Sequence, residues 1–161
     1  MRLFFLRHGD AEDRQPGRPD AARRLTPSGI QELELAARGM LGLDLRLDVI
    51  LTSPLVRARE TADIVARSLA CEAHVQEVPA LGGGCGLGDL QALLADQAPR
   101  ARVLLVGHEP DFSTLVGTLI GGGHVRVAKA SLACLDVQRV EPGGAELRWY
   151  LLAEHLVRLG E

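Results

Sequence analysis

Near its start the sequence reads Leu3-Phe4-Phe5-Leu6-Arg7-His8-Gly9-Asp10-Ala11-Glu12. Four apolar residues in succession read as a buried strand, and the run stops abruptly at a guanidinium beside an imidazole. In open parallel sheets, ligands bind outside the carboxyl ends of the strands. An Arg next to a His at such an end offers a cation for an oxyanion and a potential nucleophile.

Further apolar runs bounded by turn signals occur at Leu47 to Leu51, Val103 to Val106, Leu132 to Val137 and Leu147 to Leu152, with a weaker one at Ala73 to Val78. Helical patterns fall between them. Thr26-Pro27 precedes Ile30 to Met40, and Ser53-Pro54 opens Leu55 to Leu69, each a capping residue followed by proline. In the second helix Ala58, Ala62, Val65 and Leu69 share one face and leave Arg59, Glu60, Asp63 and Arg67 outward. Leu87 to Ala95 and Phe112 to Ile120 complete the expected helices. The alternation predicts an α/β fold, a three-layer sandwich with a mostly parallel central sheet, helices on both faces, and a C-terminal antiparallel hairpin across Glu141-Pro142-Gly143-Gly144. Asp10 to Arg24, dense in charge, and the glycine-rich Gly82 to Gly88 are expected to be mobile surface loops.

Composition narrows the function. A chain of 161 residues suits one domain, residues 1–161, able to bury roughly two-thirds of its unfolded surface. With 18 Lys+Arg against 21 Asp+Glu the charge is -3, and aromatics are 3%, which argues against a nucleic-acid partner. No run approaches the length of a membrane span or a secretory core, so no membrane association and a cytoplasmic location are expected. Cys71, Cys85 and Cys134 form no C-x-x-C pair and read as reduced thiols. His74, His124 and His155 lack ligand-like neighbours, so no metal and no cofactor is expected. The segment Gly82-Gly83-Gly84-Cys85-Gly86-Leu87-Gly88 fits neither dinucleotide nor P-loop spacing. Asp10 and Glu12 with Asp13 have the charge to hold a cation, and are read in preference as a solvated charged loop.

Three expected strands end in unusual polar residues: Arg7-His8-Gly9, Thr52-Ser53-Pro54-Leu55-Val56-Arg57, and Gly107-His108-Glu109-Pro110. Parallel strands bring these ends to one rim, so two arginines and two histidines would face one crevice suited to a tetrahedral dianion. Arg57 falls in the first turn of its helix, where a cation opposes the macrodipole by about 0.3–1 kcal/mol. An anion held there removes the conflict.

Arg7-His8-Gly9, Ser53-Pro54-x-x-Arg57-Ala58-x-Glu60-Thr61 and Gly107-His108 resemble the signatures of the histidine phosphatase superfamily. The openings Arg7 to Glu12, Leu25-Thr26-Pro27-x-Gly29 and Leu104-x-Val106-Gly107-His108-Glu109-Pro110 resemble its SixA-type phosphohistidine phosphatase branch. The resemblance implies a metal-independent phosphatase in which His8 attacks phosphorus, while Arg7, Arg57 and His108 bind the phosphoryl oxygens. Nearby cations keep the His8 ring neutral, and a hydrogen bond to the backbone of Gly9 to Glu12 is expected to orient it. Many members place a carboxylate acid where this chain has Pro79-Ala80-Leu81-Gly82-Gly83-Gly84. Glu109 is the substitute candidate for the general acid, with capping of the helix after Pro110 as its other reading. The substrate expected is a phosphorylated protein, a phosphohistidine in a phosphotransfer-type domain. The alternatives are a small phosphorylated metabolite at the same site and a non-catalytic phosphate-binding module.

Overall fold

The computed structural model describes residues 1–43, 45–71, 74–99 and 101–161. Strand β1 (Arg2–Arg7) lies inside a six-stranded sheet with β2 (Val49–Thr52), β3 (Val75–Glu77), β4 (Arg102–Gly107), β5 (Leu132–Val137) and β6 (Ala145–Leu151), in the order β3-β2-β4-β1-β5-β6. The first four in that order run parallel, and β5 and β6 are antiparallel additions.

The side chains of β1 alternate between two cores. Leu3 and Phe5 pack with helices α3 (Leu87–Leu94) and α4 (Asp111–Leu119), and Phe5 meets Phe112 edge-on at 5.2 Å. Phe4 and Leu6 face α1 (Pro27–Gly42), α2 (Val56–Ser68) and α5 (Ala153–Leu159) on the opposite side. All four are buried, which explains a continuous apolar run instead of an alternating one. The expected sandwich and hairpin are thus present, with β6 starting at Ala145 and β3 confined to Val75–Glu77. Ala73, at the start of the weaker expected strand, lies outside the described residues.

Helix α1 starts as its sequence dictates: Pro27 takes the first position and the Thr26 hydroxyl accepts the Gly29 N–H at 3.0 Å. Helix α2 does not. It begins at Val56 with Leu55 as an N-cap that contributes no side-chain bond, and Ser53 Oγ accepts the Leu55 N–H at 3.1 Å one step before the helix. Ser53 therefore stands at the strand end, its hydroxyl committed to the rim.

The two loops expected to be mobile are tied to the body. Residues 10–24 close through an Ala11–Leu25 bridge, a Glu12 N–H to Arg24 O bond of 2.9 Å, and Glu60, which accepts from Leu25 N–H and Arg24. Residues 82–88 are fixed by buried Leu81 and Cys85, and by Asp111, which accepts the Cys85 N–H at 2.9 Å. Helix α5 was not foreseen, because seven residues carry too little periodicity to announce a helix. It rests on α1 through glycine contacts in both directions: a Cβ on Gly39 would collide with the Leu156 carbonyl, and one on Gly160 with the Leu35 carbonyl.

That contact makes a test. In an isolated helix Gly39→Ala would gain about 1 kcal/mol of propensity. Here the collision with Leu156 dominates, and urea denaturation is expected to show a loss of about 1–3 kcal/mol. An unchanged or raised midpoint would show that α5 does not depend on this approach.

Candidate active site

Parallel pairing places the three strand ends level. Arg7 is opposite Gly107 and Thr52 opposite Val106, and the ladder continues one step past the strands through His8 N–H to Gly107 O (3.1 Å) and Ser53 N–H to Val106 O (2.9 Å). His8, Ser53 and His108 therefore leave the sheet at one rim. Arg57 reaches the same place from the first turn of α2.

His8 is 6% exposed, and its Nδ1 lies 2.7 Å from the Gly9 carbonyl oxygen. A carbonyl only accepts, so Nδ1 carries the proton and Nε2 presents a lone pair. Arg57 Nε–H donates to that Nε2 at 3.3 Å, which requires the same tautomer. Burial pushes the His8 pKa down to about 3, and the nearby His108, Arg57 and Arg7 push the same way against the Gly9 bond. The ring is neutral, with the lone pair of Nε2 facing a guanidinium.

The His108 ring centre is 5.1 Å from that of His8, and its Nε2 is 2.7 Å from Ser53 Oγ. Burial, then Arg57, brings its pKa to about 4. Since Ser53 already accepts from Leu55, its own proton can be donated to Nε2, which leaves the proton of His108 on Nδ1. That Nδ1 and Arg7 Nε are the buried side-chain nitrogens or oxygens that lack a protein partner among the described residues. Both are donors with hydrogen-bonding capacity to spare. Arg7 is steadied by Nη1, which donates to the Val127 carbonyl at 3.2 Å.

Arg57, 7% exposed at its side chain, meets an anion that sequence reading did not single out. Its Nη1 donates to the Asp20 carbonyl at 2.9 Å and its Nη2 to the Asp20 carboxylate at 3.0 Å. The helix-dipole conflict at Arg57 signalled the need for an anion, but four acids in residues 10–24 were available to meet it. Asp10 pairs with Lys129 at 2.7 Å, Glu12 with Arg18 at 3.0 Å, and Asp20 is the one of the four that meets Arg57. Two signature residues have supporting tasks: Thr61 Oγ1 donates to the Arg57 carbonyl and accepts the Gly9 N–H, and Glu60 holds Leu25.

Glu109 is not joined to this group by a hydrogen bond. Its carboxylate accepts the Ser113 N–H at 3.1 Å and the Ser113 hydroxyl, at the start of α4. Its carboxylate therefore makes the contact that the capping reading expects. Among the described residues no group of three or more His, Cys, Asp or Glu side chains is placed to hold a metal ion, and no helix is long and apolar enough to cross a membrane.

Comparison with known proteins agrees with this geometry. Residues 3–82, from β1 to the turn after β3, match the model of the histidine phosphatase superfamily (branch 1). The chain is 37% identical over 137 residues to an uncharacterized protein of Picosynechococcus sp., covering 82% of each. It is 31% identical over 155 residues to the phosphohistidine phosphatase SixA of Escherichia coli, covering 94% of this chain and 93% of SixA. A solved structure of the protein histidine phosphatase SixA complexed with tungstate superposes with a TM-score of 0.82 at 28% identity, covering 97% of this chain and 99% of that one. With sequence and fold in agreement along nearly the whole length, the chain belongs to the histidine phosphatase superfamily and is a phosphatase.

Proposed function

We propose that the chain removes phosphate from phosphohistidine in a protein through a covalent intermediate on His8, without a metal. The tautomer of His8 carries the proposal: Nδ1–H is given to Gly9 O and Nε2 is left as a lone pair beside Arg57. A phosphate-binding module has no use for a buried, neutral imidazole aimed this way. The relative named phosphohistidine phosphatase, similar over nearly the full length, supports the substrate class.

In the first step Nε2 of His8 attacks phosphorus, a nitrogen–phosphorus bond forms, and the bond to the leaving group breaks. Charge spreads over the equatorial oxygens, where Arg7, Arg57 and His108 Nδ1–H act as donors. In the second step water attacks the phosphoryl group, returns the electron pair to Nε2 and releases inorganic phosphate. A departing imidazole is protonated more readily than an alkoxide, so phosphohistidine makes the smaller demand on an acid. For Glu109 to supply that proton its carboxylate must exchange Ser113 for the leaving group.

His8→Ala is expected to lower turnover of an aryl phosphate at least about 1000-fold with the fold retained, in EDTA as in its absence. Undiminished turnover in that variant overturns the covalent mechanism. Assayed side by side, a phosphohistidine-bearing phosphotransfer protein is expected to exceed sugar phosphates and nucleotides in kcat/KM; a preferred metabolite assigns the site to small molecules.

Glu109→Gln keeps a capping oxygen but cannot give a proton. It is expected to slow an alkyl phosphate about 100-fold and phosphohistidine far less. No change on either substrate assigns Glu109 to capping alone.

The depressed histidines also set a pH dependence. An unfolded histidine binds its proton near pH 6.5, whereas His8 and His108 bind theirs only at about 3 and about 4. Between those limits the unfolded chain holds more protons, so stability falls as the pH is lowered from 6.5 toward 4. Imidazole nitrogen NMR should show both rings neutral from pH 8 to pH 5. A midpoint near 6.5 for His8 contradicts the electrostatics described.

A further inference from the structure

A guanidinium presents two parallel pairs of N–H donors: an end-on pair from Nη1 and Nη2, and a side-on pair from Nε and Nη2. Asp20 occupies the end-on pair of Arg57, with its main-chain oxygen on Nη1 at 2.9 Å and its carboxylate on Nη2 at 3.0 Å. The side-on pair faces the nucleophile: its Nε donates to His8 Nε2 at 3.3 Å, a bond that a phosphoryl oxygen must take over before His8 attacks. Asp20 thus grips the back of the guanidinium and leaves the front toward the nucleophile.

Asp20 is itself anchored. It opens the 3-10 turn Asp20–Ala22, and its second carboxylate oxygen accepts from Arg23 Nη1 at 2.9 Å and Arg14 Nε at 3.1 Å. Arg23, 16% exposed at its side chain, is fixed in turn by donating from Nε to the Glu12 carbonyl. Bonds from Arg23, then Arg57, hold the Asp20 carboxyl down to about 2, so it is an anion throughout the working range. It is a grip and not a proton donor.

We propose that Asp20 is the positioning residue of the phosphoryl site, holding the Arg57 guanidinium so that its Nε–Nη2 edge meets the equatorial oxygens as His8 attacks. The proposal rests on the phosphatase reading of Arg57 and extends it to a residue outside the family signatures. Its signature is a division between rate and affinity. A preset donor edge lowers the barrier of the chemical step. The Asp20 charge, however, opposes a phosphate dianion, so it weakens ground-state binding.

The test compares wild type with Asp20→Asn and Asp20→Ala on an aryl phosphate. The expected result is a 10- to 100-fold fall in kcat with KM unchanged or lower. Vanadate, which imitates the five-coordinate phosphorus, should inhibit more weakly in the variants, while inorganic phosphate inhibits equally or more strongly. A general disturbance of the loop would raise KM and weaken both inhibitors together, and that result overturns the proposal, as does an unchanged kcat. In an Arg57→Ala background Asp20→Ala should have no further effect on kcat; a further tenfold loss would place the action of Asp20 elsewhere.

A readout without turnover separates this proposal from the mechanism it extends. In the free enzyme the Arg57 side-chain nitrogen resonances should show slow rotation about Nε–Cζ, retained in His8→Ala and lost in Asp20→Asn. Rotation unaltered in Asp20→Asn counts against the positioning role whatever the fate of His8→Ala.

Discussion

Burial of both faces of β1 is the constraint on which the molecule depends. Leu3 and Phe5 must be covered by one layer of helices and Phe4 and Leu6 by the other, which commits the chain to a sandwich with a sheet in its middle. Polar side chains are then excluded from the strand interiors and collect where pairing ends. Because β1, β2 and β4 are parallel and in register, Arg7, His8, Ser53 and His108 emerge at one level. The site follows from the register of the sheet.

Electrostatics within that rim are arranged by burial and by the hydrogen bonds that fix its charged groups. His8 and His108 are both deeply buried, and both lie in the field of Arg7 and Arg57, so protonation is opposed twice. The two guanidiniums keep their charge through fixed partners, Val127 for Arg7 and Asp20 for Arg57. Two fixed guanidiniums beside two neutral imidazoles are the groups on which the proposed phosphoryl transfer draws.

Much of this was legible in the chain because it is local. The apolar runs, the Thr26-Pro27 helix start and the polar residues at three strand ends each occupy a few consecutive positions, and the parallel arrangement joins them. What escaped reading depends on distance or on competition between equals. Asp20 and Arg57 are 37 positions apart, and Asp10, Glu12 and Asp13 offered the same charge. Ser53 has the chemistry of a helix cap, yet β2 carries its hydroxyl to His108, so the rim prevails over the cap. Glu109 shows the converse: its place after the second histidine suggested catalysis, and Ser113, four residues on, draws its carboxylate to the helix. The charged stretch 10–24 looked loose because its partners, Glu60 and Arg57, lie in a distant helix.

The Ala11–Leu25 bridge and the grip of Glu60 close that stretch at its base, so residues 13–19 form an exposed excursion between two fixed points. Strain or length added at the tip is stopped at the bridge before it reaches the sheet. The excursion is therefore a region where sequence can drift, or be replaced by design, to meet different surfaces while the chemistry beneath is conserved. Its tolerance is limited where it reaches inward: Arg14 bonds the Asp20 carboxylate and Arg18 pairs with Glu12.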